Sequence, residues 1–343
     1  MDSGDLHTIV VGREAMGCRF EVVFNAGELA EATELGCSAL DLVDEIEGRI
    51  SVYRGSSELA AINASAGSWV AVCPDTLALL ELARALHETT AGAFDIAAGP
   101  LVRAWGFLRR QGRTPSDGER AAALAVSGAR WLEVDSAGGR VRLTVAGAEL
   151  NPGAIGKGWA IDRAVEWLRV AGVASVLVHG GQSSVRACGI QGPAWPGRSG
   201  WKVGLRHPLR PGRRLATISL VDRALGTSGS GTQFFIERGR RLGHILDPRT
   251  GRPAEGVISA TVLAESAAEA DALATALYVL GEEGLERIAP AGGSTSAVLV
   301  LAAAPGGLRV VVSNLWAGGI TVEPEPGLAV DWKSTAGGGA PAG

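Results

Sequence analysis

A chain of 343 residues that is 46% hydrophobic and 20% charged is long and apolar enough to bury a core of its own. A net charge of −4 with scattered arginines leaves no basic stripe for DNA or RNA, and the cysteines at 18, 37, 73 and 188 lack both Cys-x-x-Cys spacing and the density of a disulfide scaffold. The 49 glycines, without a Gly-X-Y period, imply tight turns and close backbone approaches.

In chain order, the pattern predicts a strand over 17–24 and a helix around 28–48, with Leu35, Ala39, Leu42 and Ile46 at helical spacing. A second helix is predicted near 75–89, a third from Ile96 through Leu101 and Trp105, and short strands at 131–135 and 140–145. Helix 156–170 turns Ile161, Ala164, Val165 and Leu168 to one face and stops at Gly172, ahead of a strand at 175–178. Strands at 184–188, 201–206, 214–220, 241–246 and 258–264 follow, then a helix of about 266–280 and strands at 296–302 and 308–313. Strand runs broken by a few long helices, without strict alternation, give an α+β fold in one domain over 1–322. The Gly-, Pro- and Ala-rich stretch 323–343 reads as a disordered tail. The opening Met1-Asp2-Ser3-Gly4-Asp5 is unlike a signal peptide, and no long uncharged apolar span follows. The expected location is the cytoplasm for the chain as given, or the periplasm if its N-terminus has been trimmed.

Four segments carry chemistry. Ser266 and Glu269 fit a capping box that starts the helix carrying Asp271 and Thr275 one turn apart on one face, with Leu273, Leu277 and Leu280 opposite. A carboxylate and a hydroxyl side by side suit Mg²⁺, although an ordinary surface Asp in a first helical turn gives the same spacing. Asn151-Pro152-Gly153-Ala154-Ile155-Gly156-Lys157-Gly158 leads into helix 156–170, where backbone N–H groups and Lys157 can meet a phosphate; a plain structural turn is the alternative. His244, in Gly243-His244-Ile245-Leu246-Asp247-Pro248, is a candidate general acid–base or a structural histidine, while Asp247 suits an Asx-type turn. Gly92-Ala93-Phe94-Asp95 can face a planar ring, or place Phe94 in the core and Asp95 as a helix cap.

In order and spacing, these segments resemble the ApbE family of FAD:protein FMN transferases. The matching residues also include Met16-Gly17, Ser51-Val52-Tyr53-Arg54, Ser57-Glu58-Leu59, Ile62-Asn63, Thr227-Ser228-Gly229 and Arg252-Pro253. The resemblance implies a single T-fold-like α+β domain and transfer of FMN from FAD to a Thr or Ser hydroxyl of an acceptor flavoprotein, with release of AMP. It places FAD contacts on Met16, Tyr53, Ala93, Phe94, Asp95, Asn151, Lys157 and Ile245, and Mg²⁺ on the carbonyl of Ala154 and the side chains of Asp271 and Thr275. His244 matches the family histidine that assists the attacking hydroxyl. Three positions depart from the pattern: Asn151 for an Asp, Val178 for an Asp or Asn ahead of Gly180-Gly181, and Ser230-Gly231 for Asp-Tyr. An FAD diphosphatase, or a flavin-binding protein without turnover, is the alternative reading.

Overall fold

The computed structural model describes residues 7–109, 111–192, 200–210, 212–229, 231, 233–303, 307–314, 321–324 and 331–334. A nine-stranded sheet forms its spine, and its strands lie side by side in chain order: Thr8–Ala15, Cys18–Asn25, Val176–Gly180, Ser184–Cys188, Arg223–Gly229, Val257–Ala264, Ser296–Ala303, Gly307–Ser313 and Asp331–Ser334. All neighbours pair antiparallel except the last two strands, which run parallel. The tight Met16-Gly17 turn joins the first two, with both residues at positive φ, 50° and 72°. Glycine adopts that conformation freely; Met16 holds it at a cost of about 1 kcal/mol or more.

Helices α1 (Ala32–Ile50), α6 (Gly156–Val170), α7 (Ala267–Leu280) and the single turn α8 (Leu285–Ile288) pack on one face of this sheet, while α2 (Glu58–Ala64), α3 (Pro74–Thr89), α4 (Gly99–Ala104) and α5 (Asp117–Val126) lie between α1 and α6 in the chain. Phe20, Val22 and Phe24 alternate onto this face and meet Leu40, Val43 and Ile46 of α1 and Ile161 and Val165 of α6 in the larger core. The opposite face buries Leu177, Val185, Leu263 and Val298 against a three-stranded sheet of Trp201–Arg206, Arg214–Leu220 and Thr321–Pro324. An α+β fold in a single domain therefore matches the expectation. Asp331–Ser334, within the stretch 323–343 read as a tail, and Thr321–Pro324, which runs into it, pair into the two sheets.

Three expectations change. The third helix begins at Gly99, not Ile96, because the Asp95 carboxylate takes the Ala97 N–H at 2.8 Å and Pro100 fixes the first turn. Asp95 thus serves the turn before the helix, while Ala98 occupies the cap. The single strand expected over 241–246 is two pieces: Arg240–Gly243 pairs with Phe234–Glu237, and Leu246–Asp247 pairs with Arg252–Pro253, so His244 and Ile245 sit between ladders. Helix α7 is also buried nearly all round, Asp271 included. Its small residues Ala267, Ala268, Ala270, Ala272, Ala274 and Ala276 let neighbours approach from every side, so the spacing-based picture of one wet face fails.

Candidate functional site

The Met16-Gly17 turn, Thr227-Ser228 and the starts of α6 and α7 meet at one end of the main sheet. The Met16-Gly17 turn lies there, tied to the next turn by Gly181 N–H donating to the Arg19 carbonyl at 2.9 Å. Thr227 and Ser228 end their strand at the same edge, and the N-terminus of α6 and the first turns of α7 lie above it. Two glycines permit this approach. A Cβ on Gly158 would stand 2.1 Å from the Ala267 carbonyl oxygen, and one on Gly226 would stand 2.4 Å from the Ala270 carbonyl carbon. Both distances are impossible for real carbon atoms, so α7 presses on α6 and on the sheet only because these positions lack side chains.

Asp271 is 9% exposed. Its Oδ2 accepts from the Gly158 N–H at 3.0 Å and from the Ser184 hydroxyl at 2.8 Å. Gly158 lies in the first turn of α6, where N–H groups have no partner within the helix, so the carboxylate faces the positive end of a helix dipole. Burial pushes the Asp271 carboxyl up to about 6, against the lowering influence of Lys157, Ser184 and Gly158. The surface-aspartate alternative is therefore excluded.

Thr275 Oγ1 donates to the Asp271 carbonyl at 3.1 Å and lies 3.0 Å from Ser228 Oγ. A hydroxyl has one proton and two lone pairs, so with its proton committed Thr275 accepts from Ser228 and keeps one lone pair. Among the described residues no group of three or more His, Cys, Asp and Glu side chains could hold a metal ion. The donors here are of another kind: a buried carboxylate and a hydroxyl on α7, and the Ala154 carbonyl ahead of α6. This all-oxygen set fits a hard cation such as Mg²⁺, which completes its shell with water and phosphate.

Lys157, in the first turn of α6, extends its ammonium to the Ser183 hydroxyl. Asn151 Oδ1 accepts from Gly153 N–H at 2.9 Å, and the Asn151 N–H donates to the Ile96 carbonyl at 2.7 Å, which joins this turn to the 93–96 segment. In that segment Ala93 and Phe94 are core side chains, and Asp95 binds the Ala97 and Ala129 N–H groups with His87 Nδ1 at 3.2 Å. Phe94 thus takes the core role left open for it, and Asp95 is committed to backbone N–H groups of the turn before α4 rather than to the helix cap. A cavity of about 240 Å³ opens beside Asn151, between Val52, Asn63, Glu149 and Arg103. Tyr53, next to Val52, is 74% exposed.

His244 is half-buried, its ring edge-on to Phe107 at 6.4 Å between centroids. Nδ1 lies 3.0 Å from the Gln233 carbonyl, which can only accept, so Nδ1 carries the proton and Nε2 a lone pair. Burial lowers the imidazole pKa, aided by Lys157 and opposed by the Gln233 contact. Ile245 is buried and its carbonyl accepts from Ala254 N–H. Asp247 forms the expected Asx turn, taking Arg249 N–H at 2.9 Å. Ser183, Ser184 and Ser228 were invisible as partners of Lys157, Asp271 and Thr275, since the pairs are 26 to 87 residues apart. Val178 is core, and Ser230 lies outside the described residues.

The profile of the ApbE family matches residues 16–299. A Vibrio cholerae protein named FAD:protein FMN transferase is 33% identical over 260 residues, 74% of this chain and 76% of the relative. One of that name from Treponema pallidum is 35% identical over 280 residues, 78% of this chain and 76% of its own. The crystal structure of the ApbE protein of Thermotoga maritima superposes with a TM-score of 0.78 at 30% identity, covering 88% of this chain and 96% of that one. The apo flavinyl transferase ApbE of Pseudomonas stutzeri gives 0.77 at 28% identity, over 91% and 96%. Among the described residues no helix is long and apolar enough to cross a membrane.

Proposed function

The chain belongs to the ApbE family, and from that premise we propose that it is an FAD:protein FMN transferase that requires Mg²⁺ and esterifies a Thr or Ser hydroxyl of an acceptor flavoprotein. The observation that carries this reading is the meeting of Asp271 and Thr275 on α7 with the Lys157 end of α6. In the reaction the acceptor oxygen bonds to the phosphorus of the FMN half, the phosphoanhydride P–O bond breaks, and AMP departs. The chain's task is to place the reactants and neutralise charge.

Lys157 and the N-terminal N–H groups of α6 would face the diphosphate of FAD, where positive charge offsets what develops on the leaving phosphate. The Ala154 carbonyl, Asp271 and Thr275 would hold Mg²⁺, which when bound supplies further neutralisation of that diphosphate. His244 is neutral near pH 7 and has its Nε2 lone pair available, so it would take the acceptor hydroxyl's proton. Met16, Tyr53, Asn151, Ile245 and the backbone of 93–95 would contact the rest of FAD. The buried Phe94 side chain would act only as support.

The test is to supply FAD, Mg²⁺ and a candidate flavoprotein subunit bearing a Thr or Ser in a small-residue loop, and to read intact mass. A gain equal to esterified FMN with equimolar AMP is expected. Free FMN without modified protein across a panel of acceptors would mark the chain as an FAD diphosphatase, and bound but unconsumed FAD as a carrier.

A further inference from the structure

The strands Val176–Gly180 and Ser184–Cys188 are joined by Gly181-Gln182-Ser183, with Gly181 and Gln182 both at φ 59°. Along a regular strand, consecutive side chains point to opposite faces. Here Ser183 still belongs to the turn, its carbonyl held by the Thr227 N–H at 2.7 Å, so Ser183 and Ser184 both reach the helix layer. Ser183 takes the ammonium of Lys157 on α6. Ser184, fully buried, donates to Asp271 on α7 at 2.8 Å.

We propose that Ser183 and Ser184 are a pair of positioning residues that hold Lys157 and Asp271 apart, keeping the cation for the phosphate and the carboxylate for the metal. The proposal rests on the transferase reading above. Lys157 directly precedes Gly158, whose N–H meets the Asp271 carboxylate, and a direct ion pair between Lys157 and Asp271 would spend both charges on each other. The turn prevents this by giving each its own hydroxyl. Ser184 and Gly158 both address Oδ2 of Asp271, which fixes the plane in which Oδ1 is presented. Such outer hydrogen bonds orient ligands, and their loss typically costs 10- to 100-fold in metal affinity.

The experiment measures Mn²⁺ binding by electron paramagnetic resonance and FAD binding, without metal, by flavin fluorescence. Ser184→Ala should weaken Mn²⁺ binding about 10–100-fold and leave metal-free FAD affinity within several-fold of wild type. Ser184→Thr, which keeps the hydroxyl, should recover most of the loss. Ser183→Ala should weaken both, because the freed ammonium swings onto Asp271. In a Lys157→Met background, Ser183→Ala should then change neither. Wild-type Mn²⁺ affinity in Ser184→Ala, or an undiminished Ser183→Ala effect in the Lys157→Met background, would overturn the proposal. Should Ser184→Ala fail to fold, the Ser183 and Lys157 cycle decides by itself. Absence of Mn²⁺ binding in wild type would sink the metal reading and the Ser184 half together, while metal-free FAD affinity would still judge the Ser183 half.

Discussion

His87 and His244 respond to pH in opposite directions because one gains a carboxylate on folding and the other loses water. The Asp95 contact raises the His87 pKa above its ordinary value, against partial burial. Its stabilisation is therefore complete below about pH 6.5 and is lost as pH rises through the raised value. Urea midpoints of wild type and His87→Gln should accordingly converge as pH rises from about 5 to about 8. Burial lowers the His244 pKa, so the folded state resists its protonation, and stability from this group falls as pH drops below about 6.5 toward the folded value. The same shift favours the neutral imidazole, the form that the proposed base role requires. His244→Ala should leave FAD affinity within several-fold of wild type and slow transfer by about 10²–10⁴, as measured by AMP release at saturating FAD. Parallel losses of affinity and rate would make His244 a cofactor contact instead. Asp271→Ala should lose the Mg²⁺-dependent transfer activity, since only neutral donors remain, with Thr275→Ala milder; unchanged metal dependence in Asp271→Ala would show that the cation binds elsewhere.

At the scale of the element, α7 is the part on which the site hangs. Its N-terminus is capped twice: Ser266 Oγ takes the Glu269 N–H, and Asp162 of α6 reaches across to the Ala267 and Ala268 N–H groups at 2.8 and 2.9 Å. Asp162 is 2% exposed and also pairs with Arg186 at 2.7 Å. Removing one member of a buried pair strands the other, so Asp162→Ala should cost about 3–5 kcal/mol in chemical denaturation. Glycine acts here through packing. Gly158→Ala and Gly226→Ala would each push α7 outward and destabilise by about 1–3 kcal/mol, with weaker Mg²⁺ binding as the second readout because Asp271 rides on the displaced helix. Wild-type metal affinity in both variants would mean that the helix relaxes without carrying its ligands along. The helix itself was legible, since Ser266 marks its start and Gly281 its end. Its burial nearly all round was not, because alanine sits equally well in water or against a neighbouring backbone.

Across the whole molecule, the sequence specified what is local and left out what is assembled. Helices α1, α3 and α6 and most strands matched their periodicity within a few residues, and the family motifs marked Asp271, Thr275, Lys157 and His244. Thr8–Ala15 escaped notice because Val10 and Val11 break its alternation, and α5 because it is a ten-residue surface helix with no fully buried side chain. The partners of the site residues stayed hidden because strand pairing creates them. One such pairing joins Cys18–Asn25 to Val176–Gly180, across an intervening stretch that supplies α1 to α6. During synthesis, then, the amino-terminal hairpin waits with an open edge until half the chain has emerged. Contacts of such long range are slow to form, and the unpaired edge invites association with other chains meanwhile. Cys18 lies on that waiting strand, and its thiol pKa is raised in the finished protein chiefly by burial. The speed with which a thiol reagent stops labelling Cys18 during refolding would therefore time the closing of the sheet.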